Sequence, residues 1–436
     1  MPSTIVITGL GIASAIGLGK DEFWSNLQAQ ESGIRSLELR QDEGAKPGPA
    51  QRDDPFWHGA PILNFDPKQY VTPRKALKVM CREIQTAFAA SRMAIQDANL
   101  EEQLPADGES PWNPSQIGTV FGSEMFYGPP SEMVKAFLQC ERDDGTIDAS
   151  RFGEAAMKGV MPLWMLKYLP NMPACHVGIS VNAHGPNNTL VLGDVSGPAA
   201  LAESVSCLLR SHADLMICGA SGTRINTTRL NYTGDYPTAG QDAPGVIGGE
   251  GAVTVILESS ENAFAGGRTP LASVLGISSR FAPSHGMQEG TRSSDAKTDG
   301  RREKPLRGSS RAISNACEAA LAQARLQPSD VDLIVSHRMG DPSMDSAERE
   351  GLARFDESTP RIMPMQFIGH TGAASGMFAI ATAICHLSMT HGISSPTSIK
   401  IRDGKTDQNE QSKYVLCVSH TSEGSATACV LGQPQR

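Results

Sequence analysis

The stretch GPNNTLVLGDVSG, residues 185–197, and the apolar run after it decide the fold of this chain. Val191 and Leu192 are typical of the end of a buried strand. From Pro198 the apolar residues recur at helical spacing, at Ala199, Leu201, Ala202, Val205, Leu208 and Leu209. The sequence therefore predicts a tight strand-to-helix corner at residues 193–197, with Asp194 presented at the N-terminus of a helix.

A corner of this kind is where many enzymes hold a nucleophile, because backbone N–H groups at a helix N-terminus can stabilise an oxyanion. The side chain presented here is a carboxylate. Asp194 could equally be an N-cap that accepts a hydrogen bond from the first turn of the helix. The stretch alone leaves both interpretations open.

Length and composition indicate a large α/β protein. At 436 residues the chain exceeds one ordinary domain, and 43 glycines with 39% hydrophobic residues suit many tight strand–helix turns. The formal net charge of −9 argues against nucleic acid or an anionic membrane surface as the main partner. A local basic patch for an acidic carrier protein remains compatible with it.

The cysteines and the apolar runs indicate a reducing compartment. None of the nine cysteines forms a CxxC pair and most lie in apolar runs, so we expect buried thiols. The first strand begins near Ile5 without the pattern of a signal peptide, and no window approaches the length of a membrane span. We therefore expect a cytoplasmic protein that does not cross a membrane.

Strand-like and helix-like runs alternate along the chain. Strands are predicted near residues 5–8, 117–122, 214–219, 252–257, 271–279, 331–336, 414–419 and 428–431, and helices near 76–100, 198–211, 311–326 and 376–390. This alternation favours mostly parallel sheets covered on both faces. We predict two α/β halves, residues 1–265 and 266–436, with an insertion at 125–169 in the first half.

Six motifs in order resemble one family across essentially the whole chain. They are residues 5–11, LPNMPACHV at 169–177, GPN at 185–187, GEGA at 249–252, His337 with Asp345 and Glu348, and GHTGAASG at 369–376. Together they resemble the β-ketoacyl-[acyl-carrier-protein] synthases of fatty-acid and type II polyketide synthesis. The resemblance implies a thiolase-like fold, with duplicated α/β halves in a five-layered α-β-α-β-α arrangement, and a dimer.

Family chemistry uses a Cys on the strand-to-helix corner, two His, and a Lys shortly before the second His. The motifs place Asp194 at the Cys position and His337 and His370 at the two His positions. The Lys position, five residues before the second His, is Met365. The chain therefore resembles the family scaffold while lacking the nucleophile and the Lys.

A glycine-rich loop near the C-terminus, whose phenylalanine gates the acyl pocket in the family, corresponds to residues 421–425. The gate position is Glu423, or Ser422 if the match slips by one, and Gly424 follows. Glu250, Glu348 and Asp345 are expected to support the site by holding backbone or loop polar groups in place.

Aspartate at the Cys position should abolish condensation by this chain alone. A thiolate is a strong nucleophile and a good leaving group, whereas Asp194 would have to form a mixed anhydride. A helix N-terminus and any protonated His nearby keep the carboxylate ionised, so it would repel a malonyl carboxylate.

These departures suggest a chain-length-factor-like partner of a Cys-bearing ketosynthase, acting with acyl carrier protein. The chain would pair with that subunit as a heterodimer or with itself as a homodimer. Alternatives are a malonyl- or acyl-thioester decarboxylase, an acyl transferase or hydrolase using Asp194 and the His pair, or a homodimeric acyl-binding protein. Two His and a carboxylate could also hold a metal, but with no added ligands we expect no metal and no cofactor.

Overall fold

The computed structural model describes residues 4–37, 58–105, 110–128, 131–225, 245–284, 307–389 and 412–434. Within these ranges the strands are β1 Ile5–Ser14, β2 Gly17–Leu18, β3 Arg35–Ser36, β4 His58–Gly59, β5 Ile117–Gly122, β6 Asn187–Leu190, β7 Leu215–Thr223, β8 Glu250–Ser259, β9 Ala272–Phe281, β10 Leu333–Val335, β11 Arg361–Ile362, β12 Tyr414–His420 and β13 Ser425–Gly432.

The α-helices of the described residues are α1 Lys20–Gln28, α2 Arg82–Asp97, α3 Ser131–Cys140, α4 Phe152–Gly159, α5 Met172–Ser180, α6 Ser196–Leu209, α7 Ser260–Ala265, α8 Ser310–Ala324, α9 Pro342–Gly351, α10 Met365–Ile368 and α11 Ser375–Met389. Short 3₁₀ turns lie at Pro67–Gln69, Arg74–Val79, Pro114–Gln116, Ala149–Arg151, Trp164–Lys167, Pro328–Asp330 and Gly372–Ala374. Helices α3 and α4 lie in the predicted insertion at 125–169.

Two sets of five strands repeat the same order. The first runs β1-β8-β7-β5-β6 and the second β9-β13-β12-β10-β11. In each set the first three strands are antiparallel neighbours and the last three parallel ones. A short pairing of Val6 with Ser273 and Ile7 with Ala272 links the sets. We propose the boundary between the halves at 265/266, between α7 and β9.

Equivalent helices cover the two sets of strands, which gives five layers. Helix α2 packs on β1 and β8 at one outer face, and α8 packs on β9 and β13 at the other. Helices α6 and α11 pack together between the sheets. Three apolar cores fill the spaces between these layers, and the central one includes the side chains of Leu201 and Phe378. The fold confirms the predicted duplicated α/β architecture. The prediction of mostly parallel sheets is wrong, because the first three strands of each set pair antiparallel.

Two local predictions are wrong. The strand before the corner ends at Leu190 and is an edge strand rather than a buried one, and Val191 and Leu192 beyond it are 49% and 51% exposed. Only β5 pairs with β6 among the described residues, so its outer side has no covering strand. The helix predicted from residue 76 begins at Arg82, because Met80 and Cys81 adopt extended backbone after a 3₁₀ turn.

The apolar stretch Gly372–Met389 has the length of a membrane span, and 83% of it is buried inside the protein. Its position between the two sheets accounts for its composition, since a helix packed on both sides must be apolar around its circumference. All nine cysteines are free, seven of them buried.

Candidate active site

The predicted corner is present and is held by its own serine. Gly193 has a φ of +62°, which favours glycine, and α6 begins three residues later. Ser196 Oγ donates to the Gly193 carbonyl at 2.6 Å and accepts from the Leu192 amide at 2.8 Å. Ser419 Oγ, on β12, donates to the Asp194 carbonyl at 3.0 Å. Hydrogen bonds within the corner and to the second half therefore hold it in place.

Asp194 is directed at the two predicted histidines. Its Oδ1 lies 2.9 Å from His370 Nε2 and its Oδ2 3.5 Å from His337 Nε2. All three side chains are at most 2% exposed. The N-cap of α6 is Val195, without a side-chain capping bond, so the N-cap interpretation of Asp194 is wrong.

The electrostatics keep Asp194 ionised. Burial alone would raise the pKa of this carboxyl group, but the charge of His370 and hydrogen bonding from both imidazoles outweigh it. The pKa of Asp194 is therefore held well below its usual value. The Asp194 side chain is therefore an anion in a site closed to solvent.

The GEGA and GHTGAASG motifs meet at His370. The His370 amide donates to the Ile247 carbonyl and the His370 carbonyl accepts from the Gly249 amide, each at 2.8 Å. A Cβ at position 249 would lie 2.1 Å from the Ile368 carbonyl oxygen, so only glycine permits this approach. The first motif therefore serves to fix the backbone of the second histidine.

A third histidine, which sequence reasoning missed, completes the buried cluster. The ring of His420, at the end of β12, lies 5.1 Å from that of His337 at a 62° angle. Its Nε2 is 3.0 Å from Glu348 Oε2, and Ser336 Oγ donates to the other carboxylate oxygen. The only sequence signal was a histidine directly before the predicted loop at 421–425.

Glu348 remains ionised for the same reason as Asp194. Burial would raise its pKa, but hydrogen bonding to His420 and the charge of His420 lower it below the usual value. The cluster therefore joins two anionic carboxylates, Asp194 and Glu348, through the T-shaped contact of the His337 and His420 rings. We call these residues, with His370, the histidine cluster.

Met365 and Asp345 line a cavity beside the cluster. Met365, the residue predicted to stand at the family's Lys position, is 4% exposed. Asp345 Oδ1 accepts from the Met339 amide at 3.2 Å, and its Oδ2 lies 3.5 Å from Arg338 Nε. The cavity measures about 520 Å³ and is also lined by Ile34, Ile247, Gly340 and Arg349.

The predicted gate residues lie outside the histidine cluster, in the turn between β12 and β13. Glu423 is exposed and accepts a hydrogen bond from Ser422 Oγ at 2.6 Å. Gly424 has a φ of +112°, and a Cβ there would lie 1.9 Å from the Ala282 carbonyl oxygen. The gate assignment stays a prediction.

Glu250 lies in a different buried group. It accepts from the Ile62 amide at 2.9 Å and pairs with Arg82 at 2.8 Å, which fixes residues 62–82 against β8. Glu83 is buried nearby, and the charges of Glu124 and Glu250 add to burial in raising its pKa to about 7. Glu124 itself pairs with Arg224 at 2.9 Å.

The arrangement could support two kinds of chemistry. Two imidazoles around a fixed carboxylate can move protons. One potential ligand atom each from Asp194, His337 and His370 lies within 4.8 Å of the others, as in a metal site. A carboxylate at position 194 cannot form the thioester that a thiolate would form.

The chain matches two family models. "Beta-ketoacyl synthase, N-terminal domain" matches residues 3–263, and "Beta-ketoacyl synthase, C-terminal domain" matches residues 291–399. A putative polyketide beta-ketoacyl synthase 1 of Streptomyces halstedii is 23% identical, over 100% of this chain and 99% of the relative. The 3-oxoacyl-[acyl-carrier-protein] synthase 2 of Synechocystis is 26% identical over 87% and 84% of the two chains.

Solved structures share the fold. "The ishigamide ketosynthase/chain length factor" superposes with a TM-score of 0.72 at 19% identity and covers both chains fully. AntDE:AntF, a type II acyl-carrier protein in complex with its ketosynthase, gives 0.71 at 18% identity, again over both full chains. These likenesses establish the thiolase-like fold of ketosynthases. With family models spanning most of its length, this chain belongs to the β-ketoacyl synthase family.

Proposed function

We propose that this chain is a non-condensing, chain-length-factor-like subunit that pairs with a Cys-bearing ketosynthase and acts with acyl carrier protein in type II polyketide or fatty-acid synthesis. One observation carries the proposal: Asp194, which the motifs align with the family's nucleophile, is buried and ionised between two histidines. The chain keeps the architecture of the family without the group that would carry the acyl chain.

The charge at position 194 opposes condensation. A malonyl group brings its own carboxylate, and two anions a few ångströms apart in a water-excluded site repel strongly. Decarboxylation would also create an enolate, which the anionic Asp194 destabilises. The absence of a cation at Met365 removes a further source of stabilisation.

The open edge of β6 is an argument for binding of a partner chain. Thr119 and Ser123 amides donate to the Pro186 and Leu190 carbonyls, so the even-numbered residues of β6 face β5. The alternate residues, Asn187 and Thr189, therefore turn their backbone groups to the outer edge. An unpaired edge is a template for another strand.

Apolar side chains flank this edge. Ile179 on α5 is 73% exposed, and Val191 and Leu192, directly after β6, are about half exposed. Apolar surface beside an open strand edge favours burial against another protein. The solved ketosynthase/chain length factor, by its name, joins these two kinds of subunit, which makes a ketosynthase the partner to test first.

The test is condensation of an acyl carrier thioester with malonyl carrier protein. We expect no product from the pure chain, and more product or longer product from a mixture with a Cys-bearing ketosynthase than from that ketosynthase alone. Product from the pure chain would overturn the assignment of Asp194. Equal activity with and without the chain, and no complex by gel filtration, would overturn the partner role.

The competing function is thioester decarboxylation, acyl transfer or hydrolysis by the chain alone. The observation that favours it is the retained pair of histidines held at hydrogen-bonding distance from a carboxylate. Release of CO₂ from malonyl carrier protein, or of free acid from an acyl carrier protein, would be lost in Asp194→Ala if this function holds. A homodimer that retains long-chain acyl material in native mass spectra would instead indicate an acyl-binding protein.

A further inference from the structure

We propose that Asp194, His337 and His370 form a binding site for one divalent transition-metal ion, for which zinc is the best match. The three candidate ligand atoms lie within 4.8 Å of one another on three separate segments of the chain. All three side chains are buried, so an ion there would be shielded from bulk water.

The donor set is that of a transition metal. Two imidazole nitrogens and one carboxylate oxygen are typical of catalytic zinc and of non-haem iron, whereas calcium and magnesium prefer oxygen ligands. The family's Cys position has thus become a carboxylate that can join both histidines in one ligand set. A tetrahedral ion would keep a fourth position for water or a carbonyl oxygen.

The separations fit such an ion. Bonds of about 2.0–2.1 Å in tetrahedral geometry place ligand atoms about 3.3 Å apart. The two measured separations from Asp194 are 2.9 Å to His370 and 3.5 Å to His337, on either side of that value. Only small side-chain rotations would therefore bring the three atoms around one centre.

His337 gives independent support. Both ring nitrogens are buried: among the described residues Nδ1 makes no hydrogen bond, and Nε2 has only a long contact to Asp194 Oδ2, at 3.5 Å. A buried polar atom without such a bond is costly, since it has lost its water and gained nothing in return. A metal bound at Nε2 would satisfy the nitrogen that is directed at Asp194.

The charge of the histidine cluster points the same way. Asp194 and Glu348 are both buried carboxyl groups, each 1% exposed, and each lies within 3.0 Å of a histidine nitrogen. A buried charge needs a counter-charge, which either a divalent ion or two protonated histidines could provide. The metal hypothesis and the protonated-pair alternative therefore make opposite predictions in a binding experiment.

Cobalt substitution tests the proposal on the full chain. Protein dialysed against a chelator is titrated with Co²⁺, followed by visible absorption, and then with Zn²⁺ by calorimetry and metal analysis. We expect one ion per chain, an intense visible band from four- or five-coordinate cobalt, and loss of that band on adding zinc. No stoichiometric binding of either metal would overturn the proposal and favour the protonated pair.

Ligand variants make the test specific. His370→Ala and Asp194→Asn should each weaken zinc binding at least about 100-fold, the upper range for outer-shell changes. The matched control is His176→Ala, which removes a half-buried histidine on α5 outside the cluster and should leave affinity unchanged. Circular dichroism identifies any variant that fails to fold. If His370→Ala fails to fold, Asp194→Asn, which keeps the side-chain shape, still tests the site. Binding that survives in a folded ligand variant would overturn the site.

This inference does not rest on the partner role. A chain that binds zinc but fails to stimulate a ketosynthase would keep the metal site and lose the proposed function. A chain that stimulates the ketosynthase without binding metal would do the reverse.

Discussion

At the scale of single residues, Asp194 occupies a position that still suits a thiolate. It precedes the 14-residue helix α6 and faces two imidazoles. Positive helix ends and histidines lower the pKa of a thiol and raise its reactivity. In Asp194→Cys we therefore expect the introduced thiol to react with iodoacetamide faster than the native buried cysteines, such as Cys218 and Cys317, whose pKa burial raises to about 12.

Peptide mass spectrometry after timed labelling measures these rates, with the parent protein as the control for the native thiols. Labelling at position 194 no faster than at Cys218 would contradict the interpretation that the surroundings of the family's nucleophile survive here. Because the motif spacing predicts that Met365 stands at the family's Lys position, we expect no condensation from this variant.

Glu83 is a second residue whose surroundings set a measurable property. Burial raises the pKa of Glu83 in the folded protein to about 7, from an ordinary value of 4.5. The folded state thus holds a proton that the unfolded state releases earlier, so the free energy of unfolding falls as pH rises from about 4.5 to about 7. The contribution lost is on the order of 3 kcal/mol.

Replacement by a neutral amide should remove this loss. Urea unfolding of Glu83→Gln at pH 5 and pH 8 should give a smaller decrease between the two pH values than the parent protein, and a more stable protein at pH 8. Glu31→Gln, at an exposed position, is the control and should leave the difference unchanged. An identical decrease in both variants would show that Glu83 is ionised in the folded state.

At the scale of elements, a substitution in the edge strand β6 can test partner binding separately from the stability of the chain. Proline is tolerated on an edge strand where the lost amide faces outward, and it prevents another strand from pairing there. Among the residues that the structure describes, the Thr189 amide donates only to the adjacent Asn188 side chain, at 2.8 Å, and not to β5. We expect Thr189→Pro to abolish association through this edge while the melting temperature of the chain changes little.

Analytical ultracentrifugation of the chain alone and with a Cys-bearing ketosynthase measures this outcome. Thr189→Val keeps the amide and is the matched control, which should associate like the parent. Undiminished association of a folded Thr189→Pro variant would place the interface elsewhere.

Elements also show how far sequence alone could go. The apolar runs of β7, β8, α6 and α11 located those elements within a few residues. Each of these elements is buried over most of its length, and burial gives it a long apolar run in the sequence. The exposure of β6 was missed, since a strand's own pattern does not reveal whether a second neighbour is present. The start of α2 was missed because the backbone is extended at Met80 and Cys81, whereas the apolar periodicity of the sequence continues across these two residues.

The candidate site divides in the same way. Asp194, His337 and His370 could be identified through motifs, and the structure brings them together. The pairing of His420 with Glu348 spans 72 residues and belongs to no motif that sequence reasoning used. The Glu124–Arg224 pair likewise joins β5 and β7 flanks that only the folded sheet makes neighbours. Contacts of this kind depend on topology, so they follow from the fold and not from local pattern.

At the scale of the whole molecule, the central layer makes the two halves mutually dependent. Helix α6 belongs to the first half and α11 to the second, yet their apolar side chains share one core. Phe378 on α11 is fully buried, lies 6.0 Å from the ring of Phe23, and would contact a Cβ at position 251 at 2.5 Å. A cavity at this residue removes contacts from both halves at once.

We therefore expect Phe378→Ala to lower the free energy of unfolding by about 3–5 kcal/mol and to destabilise both halves equally. Tryptophan fluorescence reports on the first half, where all four tryptophans lie in the sequence, and hydrogen exchange of β12 and β13 reports on the second. The two probes should move together in denaturant, as in one cooperative transition. Phe355→Ala, in the outer core of the second half, is the matched control for an aromatic deletion away from the central layer. A shift of the tryptophan fluorescence transition in Phe378→Ala, with unchanged exchange of β12 and β13, would contradict this expectation. The halves would then unfold independently, and the central layer would be a contact between two stable domains rather than a shared core.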